Sequence, residues 1–296
     1  MNGSTQKAIQ RCRYLIVGGG TWGLAIAYKL AKRGYAGIKV LDGQDFPPSI
    51  AAGNDLNKIM EEPEELPSDN DEDDVTHAWR VIESTATNVW KTDPIYQPHY
   101  HPTGFIYAAA EKAGYEKVQE SVKAHPENWT KLSNAASHEI KFCDEHPGYI
   151  NLIKTHRGER SVPFAKEQIP IEASQRMRTF LHETMAHLAD RRFTHARICW
   201  DADTPNRLFL IGQHPEYESL TVAVGGSGHG FMCSPAVGVI VADLLEGTLD
   251  ERLKRTLGWR PATAVGRDWW DTQGRFGADG RVMGLEGSEG WTGFGD

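Results

Sequence analysis

The stretch that most constrains the fold is Tyr14-Leu-Ile-Val-Gly18-Gly19-Gly20-Thr21-Trp22-Gly23 with the helical run that follows it to Gly34. Leu15, Ile16 and Val17 form a short apolar run that the glycines stop, which predicts a buried strand, a tight turn and a helix. Gly18-x-Gly20-x-x-Gly23 is the dinucleotide-binding spacing. The first glycine makes the turn, the second lets backbone approach a pyrophosphate, and the third lets helix pack on strand. The free N–H groups and positive dipole end of the helix then face the phosphates. A second strand, Ile38 to Leu41, ends in Asp42, 19 residues after Gly23, where an acid accepts hydrogen bonds from a ribose 2′-hydroxyl. Glycine turns are common, and a plain structural turn is the competing reading. Strand, glycines, helix, strand and acid in this order, within the about 30 residues of one βαβ unit, favour the site. The motif alone does not separate NAD from FAD; its place near the start of the sequence suits flavoproteins.

The 296 residues hold one large domain or two smaller ones, and 40% hydrophobic with 24% charged residues fits a soluble protein. A net charge of −8 argues against nucleic-acid and anionic-membrane partners, and no apolar run approaches a membrane span of about 20 residues. Residues 1–13 lack the apolar core of a signal peptide. The widely spaced Cys12, Cys143, Cys199 and Cys233 show no disulfide or CxxC pattern, so free thiols in a reducing, cytoplasmic setting are expected.

Further along, Ala51 to Ile59 reads as a polar loop, either ordinary surface or backbone and Lys58 lying against a cofactor. Glu61 to Asp74 carries nine acids and reads as a solvated charge run. Helices are expected over Val75–Trp90, Glu111–His125, Glu172–Leu188 and Pro235–Leu245. Strands are expected after His101 and over Glu139–Cys143, Phe193–Trp200, Phe209–Ile211 and Leu220–Val224. His99 and His101 have no third ligand motif beside them, and no metal site is assigned. Gly225-Gly226-Ser227-Gly228-His229-Gly230-Phe231 is a second glycine-rich turn between strand and helix; His229 in the last glycine position rules out a GxSxG nucleophile elbow.

Several blocks together resemble a known family. They are Ile16 to Gly23, Ala52 to Lys58, His101 to Gly104, Lys141 to Gly148, Arg197 to Pro205, Gly225 to Phe231 and Trp259 to Pro261, nearly end to end and in the family's order. The chain resembles the fungal fructosyl amino acid oxidases (amadoriases) and, more broadly, the monomeric sarcosine oxidase family of flavoproteins. The resemblance implies an α/β protein with a Rossmann-like FAD-binding domain over 1–74 and 196–296, and an interleaved α+β substrate domain over 75–195. It implies oxidation of fructosyl amino acids or related secondary amines: hydride transfer from the C–N bond to FAD, hydrolysis of the imine, and reduction of O2 to hydrogen peroxide. A monomer acting on a small-molecule amine is expected.

Roles carry over position by position. Gly18, Gly20, Thr21, Trp22, Gly23 and Asp42 match the FAD-binding motif. Lys58 matches a basic residue on one flavin face, and Gly226, Ser227, Gly228, Gly230 and Phe231 match the turn that wraps the flavin edge. Cys199 matches the cysteine bonded covalently to the flavin; read without the motif it is a small buried hydrophobe. Lys141 matches the lysine that promotes reaction with O2, where a cation stabilises developing negative charge. Glu145 matches a substrate-binding carboxylate. Arg275 is the best match to the arginine holding the substrate carboxylate, with Arg267 and Arg260 as rivals. Met232 stands where some members carry a lysine.

Relative to the family the chain is shortened between the helix near 111–125 and Lys141. The expected consequences are a sheet lacking strands, with an exposed edge or apolar face, a weaker adenosine cradle and a more open substrate pocket. This keeps a second reading alive, a non-catalytic or weakly FAD-binding relative acting through partner contacts. A nicotinamide-dependent reductase is a third, against which the cysteine block and second glycine turn argue.

Overall fold

A computed structural model describes residues 13–55, 58–61, 72–102, 112–124, 126, 141–144, 148–268, 270 and 281–293. In chain order the elements are β1 (Tyr14–Val17), α1 (Thr21–Lys32), β2 (Ile38–Leu41), α2 (Asp74–Thr92), α3 (Lys112–Ala124), β3 (Tyr149–Ile150), β4 (Leu152–Thr155), β5 (Gly158–Ser161), α4 (Ile171–Thr184), β6 (Leu210–Gln213), β7 (Thr221–Val224), α5 (Ser234–Glu246), α6 (Glu251–Leu257) and β8 (Met283–Gly284). They form two compact units, Met1–His101 with Cys199–Arg267, and Pro102–Ile198 with Asp268–Asp296.

In the first unit β1 and β2 pair in parallel, Tyr14 opposite Ile38 and Val17 opposite Leu41. β6 and β7 form an antiparallel hairpin, Leu210 opposite Val224. The helices bury one another. Gly238 of α5 lies so close to α1 that an added Cβ would stand 2.6 Å from the Ala25 carbonyl, which is why a glycine interrupts an otherwise apolar helix there. Leu30, Ile82, Ile211, Val237 and Leu257, from α1, α2, β6, α5 and α6, and Phe209 just before β6, are fully buried in one core. At the end of α1, Arg33 spans Asp243 (2.6 Å) and Glu246 (2.8 Å) of α5. Asp93, at the end of α2, accepts from Lys32 (2.5 Å) and Tyr28 (2.8 Å) of α1.

The β1–β2 pair has one face on the core and one exposed. Leu15 is 60%, Val17 82% and Leu41 52% exposed, while Tyr14, Ile16 and Ile38 pack inward.

In the second unit β4 and β5 form a hairpin that the residue pattern did not announce, and β3 pairs in parallel with β8. Arg176 of α4 joins Asp144 (2.7 Å) to the Tyr149 hydroxyl (3.0 Å).

Several expectations change. The unit boundaries fall at 101/102 and 198/199 rather than 74/75 and 195/196, because α2 packs on α5 and α6, and residues 268–296 group with the second unit. Residues 193–200 are irregular, since no strand pairs with them among the described residues. Residues 141–143 are likewise irregular, and the strand expected after His101 lies outside the described residues. The helix expected to reach Leu188 ends at Thr184, whose hydroxyl bonds back to the Phe180 carbonyl (2.6 Å), and a short 3₁₀ turn, Ala186–Leu188, follows. No helix of the described residues is long and apolar enough to cross a membrane.

The acidic run also ends in structure. Asp73 caps α2 by accepting from the Val75 (2.8 Å) and Thr76 (3.0 Å) amides. Glu72 binds Arg80 (2.5 Å) and His77 (2.8 Å). Arg80, then His77, hold the Glu72 carboxyl down to about 2, against an ordinary value of 4.5. A carboxyl whose pKa is lower in the folded chain adds stability above its unfolded pKa and loses it as pH falls through the folded one. The thermal midpoint is therefore expected to drop between pH 4.5 and about pH 2, and to drop less steeply in Glu72→Gln. Identical pH profiles for parent and variant would exclude this contribution.

Candidate dinucleotide site

The start of α1 is organised by close backbone approach. Gly18 takes φ +107°, a left-handed conformation that suits glycine, and turns the chain out of β1. A Cβ on Gly23 would lie 1.8 Å from the Gly18 carbonyl oxygen, so only glycine lets the helix sit this close to the strand end. A Cβ on Gly20, in contrast, meets nothing within 4 Å. Helices α2 and α6 carry Asp73 and Asp250 as side-chain caps, whereas α1 starts at Gly20 with none. Its first amides are thus left for an external acceptor. Asp42, at the end of β2, accepts from the Gly19 amide (2.6 Å) and the Gln44 amide (3.1 Å), which fixes its carboxylate beside the turn.

The second glycine turn meets the first here. Trp22 donates its indole N–H to the Gly230 carbonyl (2.6 Å), and its ring packs edge-on against Phe209 (4.9 Å). Gly225 and Gly228 take φ +82° and +83°, and the fully buried Ser227 takes +47°. The Ser227 hydroxyl donates to the Gly225 carbonyl (3.2 Å) and accepts from the Thr204 amide (3.4 Å). Loop 51–55 rests on Thr21: a Cβ on Gly53 would lie 1.9 Å from the Thr21 hydroxyl oxygen and 3.7 Å from the Phe231 ring. Lys58 pairs with Asp55 (2.9 Å) and stands 6.0 Å from the Phe231 ring centre. The Cys199 sulfur lies 3.9 Å from the Ala52 carbonyl.

Thr21, Trp22, Lys58, Cys199, Gly230 and Phe231 therefore gather around one helix N-terminus. Cys199 is exposed, which removes its reading as a buried apolar filler. Cys233 is that filler: it is buried, and burial first, with Glu83 nearby, pushes its thiol up to about 12, which leaves it inert. Lys141 is exposed and belongs to the second unit. Glu145 and Arg275 lie outside the described residues. Arg260, the rival of Arg275, is committed to structure, donating to the Thr256, Gly258, Leu208 and Phe209 carbonyls.

Thr204 is the residue that sequence reasoning passed over. It is buried, its hydroxyl donates to the Leu208 carbonyl (2.7 Å), and its methyl lies 2.3 Å from where a Gly225 Cβ would be. The Thr204-Pro205 pair that ends the Arg197–Pro205 block was the available signal.

Fold and site together define a dinucleotide-binding α/β protein. Residues 13–145 and 135–244 match the family described as FAD dependent oxidoreductase. The chain belongs to that family. It is 34% identical over 132 residues to the L-saccharopine oxidase of Schizosaccharomyces pombe, covering 44% of this chain and 30% of that protein. It is 52% identical over 58 residues to a monomeric sarcosine oxidase of Streptomyces avermitilis, covering 19% of this chain and 15% of that one. The matched segments thus span less than a third of these curated relatives. Among solved structures it is similar to a fructosyl amine:oxygen oxidoreductase, Amadoriase I, of Aspergillus fumigatus, with TM-score 0.80 and 31% identity over 96% of this chain and 98% of that one.

The residues present fit FAD: open space at Gly20, uncapped α1 amides and an acid fixed at the end of β2. Gly23→Ala should force α1 off β1. The expected cost is about 1–3 kcal/mol, the range for overpacking, read as a lower urea midpoint with loss of FAD uptake. An unchanged midpoint would show that the 1.8 Å approach to Gly18 is relieved without cost.

Proposed function

We propose that this chain is an FAD-dependent oxidase of fructosyl amino acids or related secondary amines. The observation that carries the reading is the convergence of both glycine turns, the 51–55 loop, Lys58 and the exposed Cys199 thiol on the α1 N-terminus. The likeness to Amadoriase I over nearly the whole chain supports the choice of amine. Under this reading the α1 amides and Gly20 take the pyrophosphate, and Asp42 takes the ribose. Gly226 to Phe231 border the ring with backbone N–H groups, and Lys58, oriented by Asp55, faces it. When bound, FAD supplies the two-electron acceptor for the C–N bond.

Further roles belong to the same proposal. Cys199 holds the cofactor through a thioether, and Lys141 places an ammonium where charge develops on O2. Glu145 and Arg275 bind the substrate, in a domain built mainly from the second unit; the first unit holds the cofactor. The enzyme acts as a soluble cytoplasmic monomer. A second reading, a weakly FAD-binding relative, draws on the exposed face of Leu15, Val17 and Leu41.

Purified protein mixed with FAD separates the readings. The oxidase should turn yellow, keep the colour after acid precipitation, and release it in Cys199→Ser. A chain that gains no flavin band would sink the oxidase reading. In loaded protein, Lys141→Met should slow reoxidation by O2 by more than tenfold, a barrier change above about 1.4 kcal/mol. Anaerobic reduction by fructosyl-valine should change by less than that. Equal reoxidation rates in variant and parent would dismiss the role.

A further inference from the structure

We infer that the cavity of about 320 Å³ bounded by Trp79, Glu83, Asn206, Arg207 and His229 binds a free α-amino acid, Arg207 taking its carboxylate and Glu83 its ammonium group. Of these residues only His229 belongs to the turn that borders the cofactor site, and its side chain, not its backbone, is what lines the cavity; the inference does not rest on the oxidase reading.

The cavity lies within the first unit. Trp79 and Glu83 are four residues apart on α2 and so share one helix face. Asn206 and Arg207 come from the turn entering β6, and His229 from the second glycine turn. The Trp79 ring is wedged between Phe209 (5.0 Å) and His229 (5.3 Å), which makes a fixed aromatic wall.

Arg207 is the residue that the fold leaves unexplained. Its backbone takes φ +60°, the left-handed region that arginine rarely adopts. Its Nε is buried without a hydrogen-bond partner, as are those of Arg260 and Arg267, but whereas the Arg260 guanidinium is otherwise bonded to carbonyls, the Arg207 side chain lines the cavity. The turn around it is fastened without its side chain. The Arg207 amide donates to the Thr204 carbonyl (3.0 Å), and Arg260 holds the Leu208 (3.0 Å) and Phe209 (3.2 Å) carbonyls. A strained backbone that presents an unpartnered guanidinium to a cavity is the signature of a retained binding group.

The other walls narrow the ligand. A guanidinium alone suits any carboxylate or phosphate. Glu83 in the same cavity repels a polyanion and offers a partner to a cation. Burial raises the Glu83 carboxyl's pKa; His229 opposes this and Glu61 adds to it, so an ammonium ligand would relieve an unfavourable environment. His229 Nδ1 lies 2.9 Å from the Ser227 carbonyl and must donate to it, which leaves Nε2 for a ligand. Arg260 donates to Asn206 Oδ1 (3.4 Å), so the Asn206 amide N–H group is left to donate. A zwitterion with adjacent carboxylate and ammonium satisfies both charged walls at once, and its side chain can lie on Trp79. The volume is at the small end of ligand pockets, about 300–1,000 Å³, which suits one amino acid.

Isothermal titration of the full chain tests this, with L-phenylalanine and glycine as probes and acetate, methylamine and inorganic phosphate as controls. L-phenylalanine should bind at one site, more tightly than glycine, with each control at least tenfold weaker. Glu83→Gln should weaken L-phenylalanine at least tenfold without weakening acetate. Arg207→Gly supplies the residue that φ +60° favours. It should therefore keep or raise the thermal midpoint while losing at least tenfold in affinity. No saturable binding of either amino acid at millimolar concentration would overturn the proposal. So would acetate or phosphate binding as tightly as L-phenylalanine, or unchanged affinity in Arg207→Gly. Because the titration needs no flavin, its failure is distinct from failure of the oxidase reading.

Discussion

The approach of Gly23 to the Gly18 carbonyl sets the geometry on which the first unit depends. With no Cβ at position 23, α1 starts directly above the end of β1, and its uncapped amides open beside Gly20. The other face of α1 is held just as closely, by Gly238 of α5 against Ala25. The helix is thus clamped between a strand turn and a second helix, each time through a missing side chain. Position and direction of its N-terminus follow from packing rather than from a cap.

The second glycine turn is positioned by the same helix. The Trp22 indole reaches the Gly230 carbonyl, so a residue inside the first motif anchors a turn more than 200 positions away. Thr204 and Ser227 then hold the strained part of that turn from behind. Buried hydroxyls suit this task, because each satisfies backbone groups that a turn of left-handed residues leaves unpaired. Cys199 and the 51–55 loop arrive at the same place from two other parts of the chain.

The outer face of the β1–β2 pair is surface. Val17 and Leu41, paired in register on β1 and β2, alternate outward and are exposed. Apolar strand faces normally meet a helix or a further sheet layer. Stability in this unit comes instead from the helical side, where α2, α5 and α6 close over β6, and from ion pairs such as those of Glu72, Arg33 and Asp93 at helix ends.

The sequence by itself determined the βαβ start, helices read over 75–90, 111–125 and 235–245 and found over 74–92, 112–124 and 234–246, the β6 and β7 strands and both glycine turns. Each of these is written in local spacing: glycines at fixed offsets, a period near 3.6, or an apolar run stopped by a turn. It also pointed to the family, through blocks whose order is itself information. Tertiary structure alone decided which unit α2 joins, that residues 193–200 stay irregular for want of a pairing strand, and that Cys199 is exposed while Cys233 is buried. It alone brought Trp79, Glu83, Arg207 and His229 to one cavity. These depend on contacts between distant segments, and neither the left-handed backbone of Arg207 nor the Trp22–Gly230 bond leaves a mark in the residues beside it.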